Sequence, residues 1–246
     1  HFNTRRGPVR AVDGISYDIN RGEIVALVGE SGCGKTVSAL SLLRLIPEPP
    51  GRITGEAWFA GQDLLRLDTE GVRQIRGRHI GVVFQEPMTS LNPVFSIGHQ
   101  LCEGILAHRL LSRAEAVEES LRLLECVGVT GGKARLRQYP GQLSGGMRQR
   151  VMIAMALSCK PSLIIADEPT TAVDVTIQAQ LLELLNRMVE ETNAAVLLIT
   201  HNLGVVAEYA SRVSVMYAGR IVEKGTVDDI FYSPQHPNTK ALLGCI

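Results

Sequence analysis

The sequence predicts an α/β fold: a mixed-sheet core, an N-terminal antiparallel β subdomain and an inserted α-helical subdomain. Three observations predict it. Short apolar runs at 24–28, 80–84, 163–166 and 194–199 are bounded by polar or turn residues, as buried strands are. The first of these runs leads into a glycine-rich loop, G-E-S-G-C-G-K-T at 29–36, which is followed by an apolar helical pattern over 37–45. From 86 to about 160 the apolar spacing is helical, and no strong strand interrupts it.

The loop fits G-x-x-x-x-G-K-[ST] and has the strand-before, helix-after context that gives the pattern meaning. Gly29, Gly32 and Gly34 let the backbone curl so that successive N–H groups face one concavity, and the helix N-terminus adds its positive dipole end. Such a cradle suits a polyphosphate, which makes the core that of a phosphate-loop NTPase. Lys35 is expected to neutralise charge on the β- and γ-phosphates, and the Thr36 hydroxyl to take one position on Mg²⁺.

Composition narrows the class. A chain of 246 residues is long enough for one large domain, or a domain with a subdomain. Lys plus Arg and Asp plus Glu both number 25, so no global basic footprint points to nucleic acid or to an acidic membrane surface. The cysteines, Cys33, Cys102, Cys126, Cys159 and Cys245, show no C-x-x-C spacing, which argues against a zinc site or a disulfide framework in this segment. A reduced, cytosolic setting fits them. No apolar run approaches the roughly 18 residues of a membrane span, and no signal-peptide pattern opens the chain. The chain starts at His1 and stops at Ile246 inside a helical pattern (Thr239, Ala241, Leu242, Leu243), so it reads as a piece of a longer polypeptide.

In order, 2–28 alternates apolar and polar residues and reads as two or three strands forming an antiparallel edge. Phe2 either stacks on a purine ring or caps the core. The stretch 55–61 reads as a strand ending in a turn, with Trp58 a packing residue. The run 80–84 delivers Gln85 to a strand end, where α/β sheets bind ligands. Helices follow over 97–111 and 113–127, the second with Val117, Leu121, Leu124 and Val127 as its apolar stripe. Arg113, Glu115, Glu118 and Glu119 are assigned to its solvated face. The expected division is a core of 1–86 and 161–246 with a helical subdomain over 87–160.

Ser144, Gly145 and Gly146 open another helix, an ordinary cap or a second anion-binding terminus. Two such termini need either two anions or one anion shared between two chains. The run 163–166 ends in Asp167 and Glu168. Asp167 is placed to hold the metal as the partner of Thr36, and Glu168 to take a proton from water. Asp174 reads as the N-cap of a helix over about 175–191. His201 ends the last buried run and is expected to hydrogen-bond the terminal phosphate.

Together these motifs resemble the nucleotide-binding subunit of an ABC transporter over essentially the whole chain. The resemblance makes Gln85 the Q-loop glutamine, 143–149 the signature, 163–167 the metal-binding strand, Glu168 the catalytic carboxylate, Asp174 the D-loop aspartate and His201 the switch histidine. It implies ATP contacts from Gly29, Glu30, Ser31, Gly32, Cys33, Gly34, Lys35, Thr36, Val37 and Phe2, with Ser144, Gly145, Gly146 and Asp174 also contributing. It implies Mg²⁺ on Thr36, Gln85 and Asp167, and catalysis by Glu168 with His201, Gln85 and Lys35.

The stretches 85–93, 167–176 and 236–243 are similar to those of dipeptide and oligopeptide importer ATPases, with nickel and glutathione importers close behind. Val173 and Asn238 depart from the usual Leu and aromatic residue. The group's cysteine-rich tail with an iron–sulfur cluster would lie outside this segment. The resemblance further implies a head-to-tail pair of identical or homologous ATPase domains, two membrane-spanning permease subunits, an indirect link to a substrate-binding protein, no nucleic-acid partner, and a place on the cytoplasmic face of the membrane. The rival classes are a soluble ABC ATPase acting on nucleic acid or ribosomes and a non-hydrolysing regulatory half. Net charge zero and the short helical insert disfavour the first, and intact Glu168 and His201 the second.

Overall fold

The structure is a computed structural model. It describes residues 1–169 and 175–244, and only the backbone of 175–177, Leu181 and Met188. Along the chain come β1 (Phe2–Thr4), β2 (Gly7–Val9), β3 (Ile24–Val28), α1 (Lys35–Leu42), β4 (Trp58–Phe59), β5 (Gln62–Asp63), α2 (Thr69–Ile75) and β6 (Ile80–Val83). Next are α3 (Pro87–Ser90), α4 (Ile97–His108), α5 (Arg113–Cys126), α6 (Gly132–Leu136), a 3₁₀ turn at Pro140–Gln142, α7 (Gly145–Leu157) and β7 (Leu163–Asp167). The chain closes with α8 (Val175–Thr192), β8 (Ala195–Thr200), α9 (Leu203–Tyr209), β9 (Arg212–Tyr217), β10 (Arg220–Thr226), α10 (Val227–Tyr232) and α11 (Pro237–Leu243). Two compact units result. One holds His1–Arg76 and the chain from Leu197 onward, the other Gly77–Val196.

In the first unit the strand order is β10-β9-β3-β8, and the sheet is mixed. β3 runs parallel to β9 with Val25 opposite Arg212, while β10 returns antiparallel through a turn at Ala218 and Gly219. Both turn residues have positive φ, 46° and 82°, as a tight two-residue hairpin requires. All five residues of β3 are buried, which is why its run is apolar without alternation. Ala26 and Val28 pack with Leu203, Val206, Val213, Val215 and Ile230 into one core.

The N-terminal stretch yields the β1–β2 hairpin and then β3, with no strand over 10–23. Its alternation is real, since Ile15, Tyr17 and Ile19 turn inward between exposed neighbours, but this segment is held by side chains rather than by a ladder. Arg220 grips Asp13 at 2.7 and 3.0 Å, and Arg212 reaches Asp18 and Glu23. Trp58 does not pack. It is 64% exposed, and its ring N–H donates to Glu56. A strand of two residues presents one side chain to each face, and the half-buried Phe59 takes the inward one.

In the second unit β6 and β7 are parallel, with Ile80 opposite Leu163 and Val83 opposite Ala166. Caps set the helix starts. Ser96 accepts from the His99 N–H ahead of α4, and Ser112 and Glu115 form a reciprocal capping box on α5. Of the expected stripe Leu124 and Val127 are buried and Leu121 half-buried, but Val117 is exposed, and Ala116, Glu119 and Ser120 complete the buried face of α5. Glu119, expected in solvent, is 7% exposed. It is held by Arg109 at 2.7 Å and Arg122 at 3.0 Å, and Arg109 also reaches the Ser158 carbonyl. A buried carboxylate with two guanidinium partners can face the interior, which a charge-based reading of one helix does not anticipate.

The Arg109 hydrogen bond, against the opposing effect of burial and with help from Arg122 and Lys160, holds the Glu119 carboxyl below its ordinary 4.5. A depressed folded value means stability that is present above pH 4.5 and lost as pH falls through the folded value. The melting-temperature gap between the parent and Glu119→Gln is therefore expected to be widest above that pH and to close on acidification. A gap that stays constant down the acid limb would rule this out.

Candidate functional site

β3 ends at Val28 and the loop 29–34 turns the chain into α1. Gly29 has φ 153°, and a Cβ there would stand 2.2 Å from the Met216 carbonyl oxygen. Gly34 has φ 106°, and its Cβ would stand 2.1 Å from the Ala11 carbonyl oxygen. Backbone from β9 and from the 10–13 segment thus walls the loop where only glycine fits. The Gly219 N–H donates to the Cys33 carbonyl at 2.9 Å, and the Gly219 carbonyl accepts from Asp13, so the β9–β10 turn pins both wall and loop.

Lys35 is only 5% exposed. Its Nζ donates to the carbonyls of Gly29 at 2.8 Å and Glu30 at 2.9 Å, with Cys33 Sγ at 3.9 Å. Glu30, Ser31 and Gly32 are exposed, Cys33 is buried, and Thr36 and Val37 are half-buried. Gly34 brings no side chain to cap α1, so no hydroxyl or carboxylate competes with an anion for that helix N-terminus. These features fit a phosphate.

Two other expected residues lie in this unit. Phe2 is half-buried on β1, bridges to Gly51, and sets its ring Cε1 3.6 Å from where a Cβ on Gly51 would be. His201 follows β8 directly and is exposed. Its neighbour Asn202 does the capping of α9, accepting from Gly204 N at 3.0 Å and Val205 N at 3.4 Å. The cap therefore does not explain the histidine.

The second unit holds the carboxylates. The parallel register that sets Val83 against Ala166 carries on by two residues to set Gln85 against Glu168. Gln85 Nε2 donates to Glu168 Oε2 at 3.0 Å. Asp167 is buried at the end of β7. Glu168 has φ 44°, a left-handed conformation for a non-glycine residue that also precedes a proline, and such strain concentrates at functional positions. Among the described residues no group of three or more His, Cys, Asp or Glu could hold a metal. Within this unit the buried Asp167 carboxylate is an oxygen donor of the kind Mg²⁺ takes, and phosphate oxygens are donors of the same kind.

Ser144 caps α7, its Oγ accepting from Met147 N at 3.4 Å. A hydroxyl that accepts in this way still carries a proton to donate. Gly145 and Gly146 form the first turn above it. Asp174 lies outside the described residues. The sequence placed Arg148 and Gln149 within the signature stretch 143–149 but pointed to no separate role for either. Arg148 donates to the Pro140 and Leu143 carbonyls and reaches Met88 Sδ, and Gln149 donates to the Pro169 carbonyl. A polar pair opening an otherwise apolar helix was the available signal.

The profile of the ABC transporter family matches residues 12–171. The chain belongs to the ABC transporter family and carries its ATP-binding domain. It is 53% identical over 246 residues to the dipeptide transport ATP-binding protein DppD of Bacillus subtilis (strain 168), covering 100% of this chain and 73% of that protein. It is 50% identical over 243 residues to the oligopeptide transport ATP-binding protein OppD of the same organism, covering 98% and 68%. Among solved structures it resembles the ATP-binding cassette MJ0796 in a dimeric post-hydrolysis state bound to ADP and Pi, with TM-score 0.80, 27% identity and coverage of 89% and 91%. The expected mixed-sheet α/β fold is the one found.

Proposed function

We propose that this chain binds and hydrolyses ATP to drive peptide import through a membrane permease, working as one of two ATPase domains that close head to tail on ATP. The observation that carries the peptide reading is identity of half or more with DppD and OppD over essentially the whole chain. The loop 29–36 takes the triphosphate, with Lys35 exchanging its two carbonyl partners for phosphate oxygens. Glu168 accepts the proton of the attacking water, and the Gln85 amide on Oε2 fixes its orientation. Ser144 and Gly146 donate to the γ-phosphate of ATP held by the opposing domain, and His201 donates to the γ-phosphate in its own. Thr36, Gln85 and Asp167 carry oxygen ligands of the type Mg²⁺ takes, and the ion's chemistry is to neutralise charge on the phosphates.

No helix among the described residues is long and apolar enough to cross a membrane. In this reading the chain sits at the cytoplasmic face of the membrane, held by the permease. The exposed Met88, Val94 and Phe95, which follow Gln85, are apolar side chains suited to that contact.

The test is uptake of a labelled dipeptide by Bacillus subtilis cells in which this chain replaces the matching part of DppD. ATP-dependent uptake supports the reading. Cells that take up nickel or glutathione but no peptide would replace the cargo, and a chain that hydrolyses ATP only with nucleic acid present would replace the class.

A further inference from the structure

Gln149 has 0% exposure on α7, among Val151, Met152, Ile153 and Ala154. Its Nε2 donates to the Pro169 carbonyl, while its Oε1 finds no donor among the described residues. A half-satisfied buried amide is a poor stabiliser, and an apolar residue of the same size would remove the unmet Oε1 but also strip the buried Pro169 carbonyl of its donor. What a glutamine supplies here that an apolar residue cannot is that donor. What the amide does hold is the carbonyl next to Glu168, whose φ of 44° ahead of a proline favours relaxation toward extended backbone. Gln85 on the carboxylate and Gln149 on the Pro169 carbonyl both oppose that relaxation.

We infer that Gln149 is a positioning residue for hydrolysis: it fixes the strained Glu168–Pro169 turn to the helix that opens at Ser144. The inference rests on Glu168 being the base. Gln149 lies about 7.5 Å along the helix axis from Ser144 at 1.5 Å per residue. Its neighbours reach elsewhere, Arg148 to the 140–143 turn and Arg150 to the Val127 carbonyl and Gln180. Among these three residues only Gln149 touches the turn that carries the base. A phosphate engaging Ser144 pulls on α7, and the Gln149 amide passes that displacement to the turn that carries the carboxylate.

The experiment measures steady-state ATP hydrolysis, ATP KM and thermal stability for the parent, Gln149→Leu, Gln149→Glu and Glu168→Gln. Gln149→Leu is expected to lower the melting temperature by only a few degrees, the scale of one buried hydrogen bond, and to keep ATP KM while kcat falls about 10- to 100-fold, the scale of a misplaced catalytic group. In Gln149→Glu the neutral acid can donate to the Pro169 carbonyl but the carboxylate cannot. Its rate relative to the parent should therefore climb as pH is lowered from about 8.5 to 6, because burial raises a carboxyl's pKa into that range. The Leu ratio should stay flat. Parent-like turnover in Gln149→Leu, a Glu ratio as flat as the Leu ratio, or losses of kcat, KM and stability in step would each overturn the positioning role. Glu168→Gln separates the two readings. Parent-like turnover there overturns the base assignment, whereas an inactive Glu168→Gln beside a fully active Gln149→Leu overturns only the positioning role.

Discussion

Glu168→Gln is expected to bind ATP with the parent's affinity and to release phosphate about 10²- to 10⁴-fold more slowly, the usual contribution of a general base. The substitution keeps the side chain's shape and removes only its ability to take a proton. The amide oxygen can still accept from Gln85 Nε2, so the contact that orients the group survives. Asp167 remains buried beside it at the end of β7. Because chemistry is blocked and the triphosphate persists, ATP should hold two domains together that would otherwise separate after hydrolysis. The checks are phosphate release and mass by light scattering in ATP and Mg²⁺. Turnover within a few-fold of the parent would remove Glu168 from the role of base. Loss of hydrolysis in the variant without a lasting pair would mean that a different ATPase domain must supply the opposing signature.

Gly34→Ala is the second large effect, and it acts on binding rather than on rate. The new Cβ would need to sit 2.1 Å from the Ala11 carbonyl oxygen and 3.0 Å from the Met216 Cε, with φ at 106°. The backbone conformation alone costs an alanine roughly 1–3 kcal/mol. The carbonyl cannot move aside cheaply, because the 10–13 segment is held by Asp13 to Arg220 and to Gly219. Each kcal/mol lowers the melting temperature of a chain this size by roughly 2–4 °C. Relief of the clash opens the loop, so ATP affinity should collapse in equilibrium dialysis. Gly32→Ala is the internal control: φ is 78°, but nothing lies within 4 Å of its Cβ. It should cost only the left-handed strain, roughly 1–2 kcal/mol, and retain ATP binding. Equal behaviour of the two variants would mean that the Ala11 wall does not confine the loop.

The neighbourhood of the carboxylates was only partly legible in advance. Gln85 and Glu168 could each be placed at a strand end, since an apolar run followed by a polar residue is a local pattern. That they share a hydrogen bond across 83 positions of sequence depends on the parallel register of β6 and β7, which no local pattern encodes. The left-handed φ of Glu168 is likewise imposed by what holds it, because nothing in the residue itself favours that conformation. Gln149 was hidden for the same reason. Its importance lies in a partner at Pro169, and a glutamine on a helix is ordinarily a surface residue.

The sequence by itself determined the chain's local chemistry. The glycine loop lies between a buried strand and a helix, the serine and asparagine caps set where α4, α5, α7 and α9 begin, and the buried runs became β3, β6, β7 and β8. These are decided by residues within a few positions of one another, where propensity, capping and hydrophobic period act directly. Only the tertiary structure decided which charge could be buried and which aromatic could not, turning Glu119 inward onto Arg109 and leaving Trp58 outside. It also decided why Gly29 and Gly34 must be glycine, through the carbonyls of Met216 and Ala11. Those outcomes depend on close approach of segments far apart in the chain, where one backbone oxygen or one guanidinium outweighs the preference of the residue it meets.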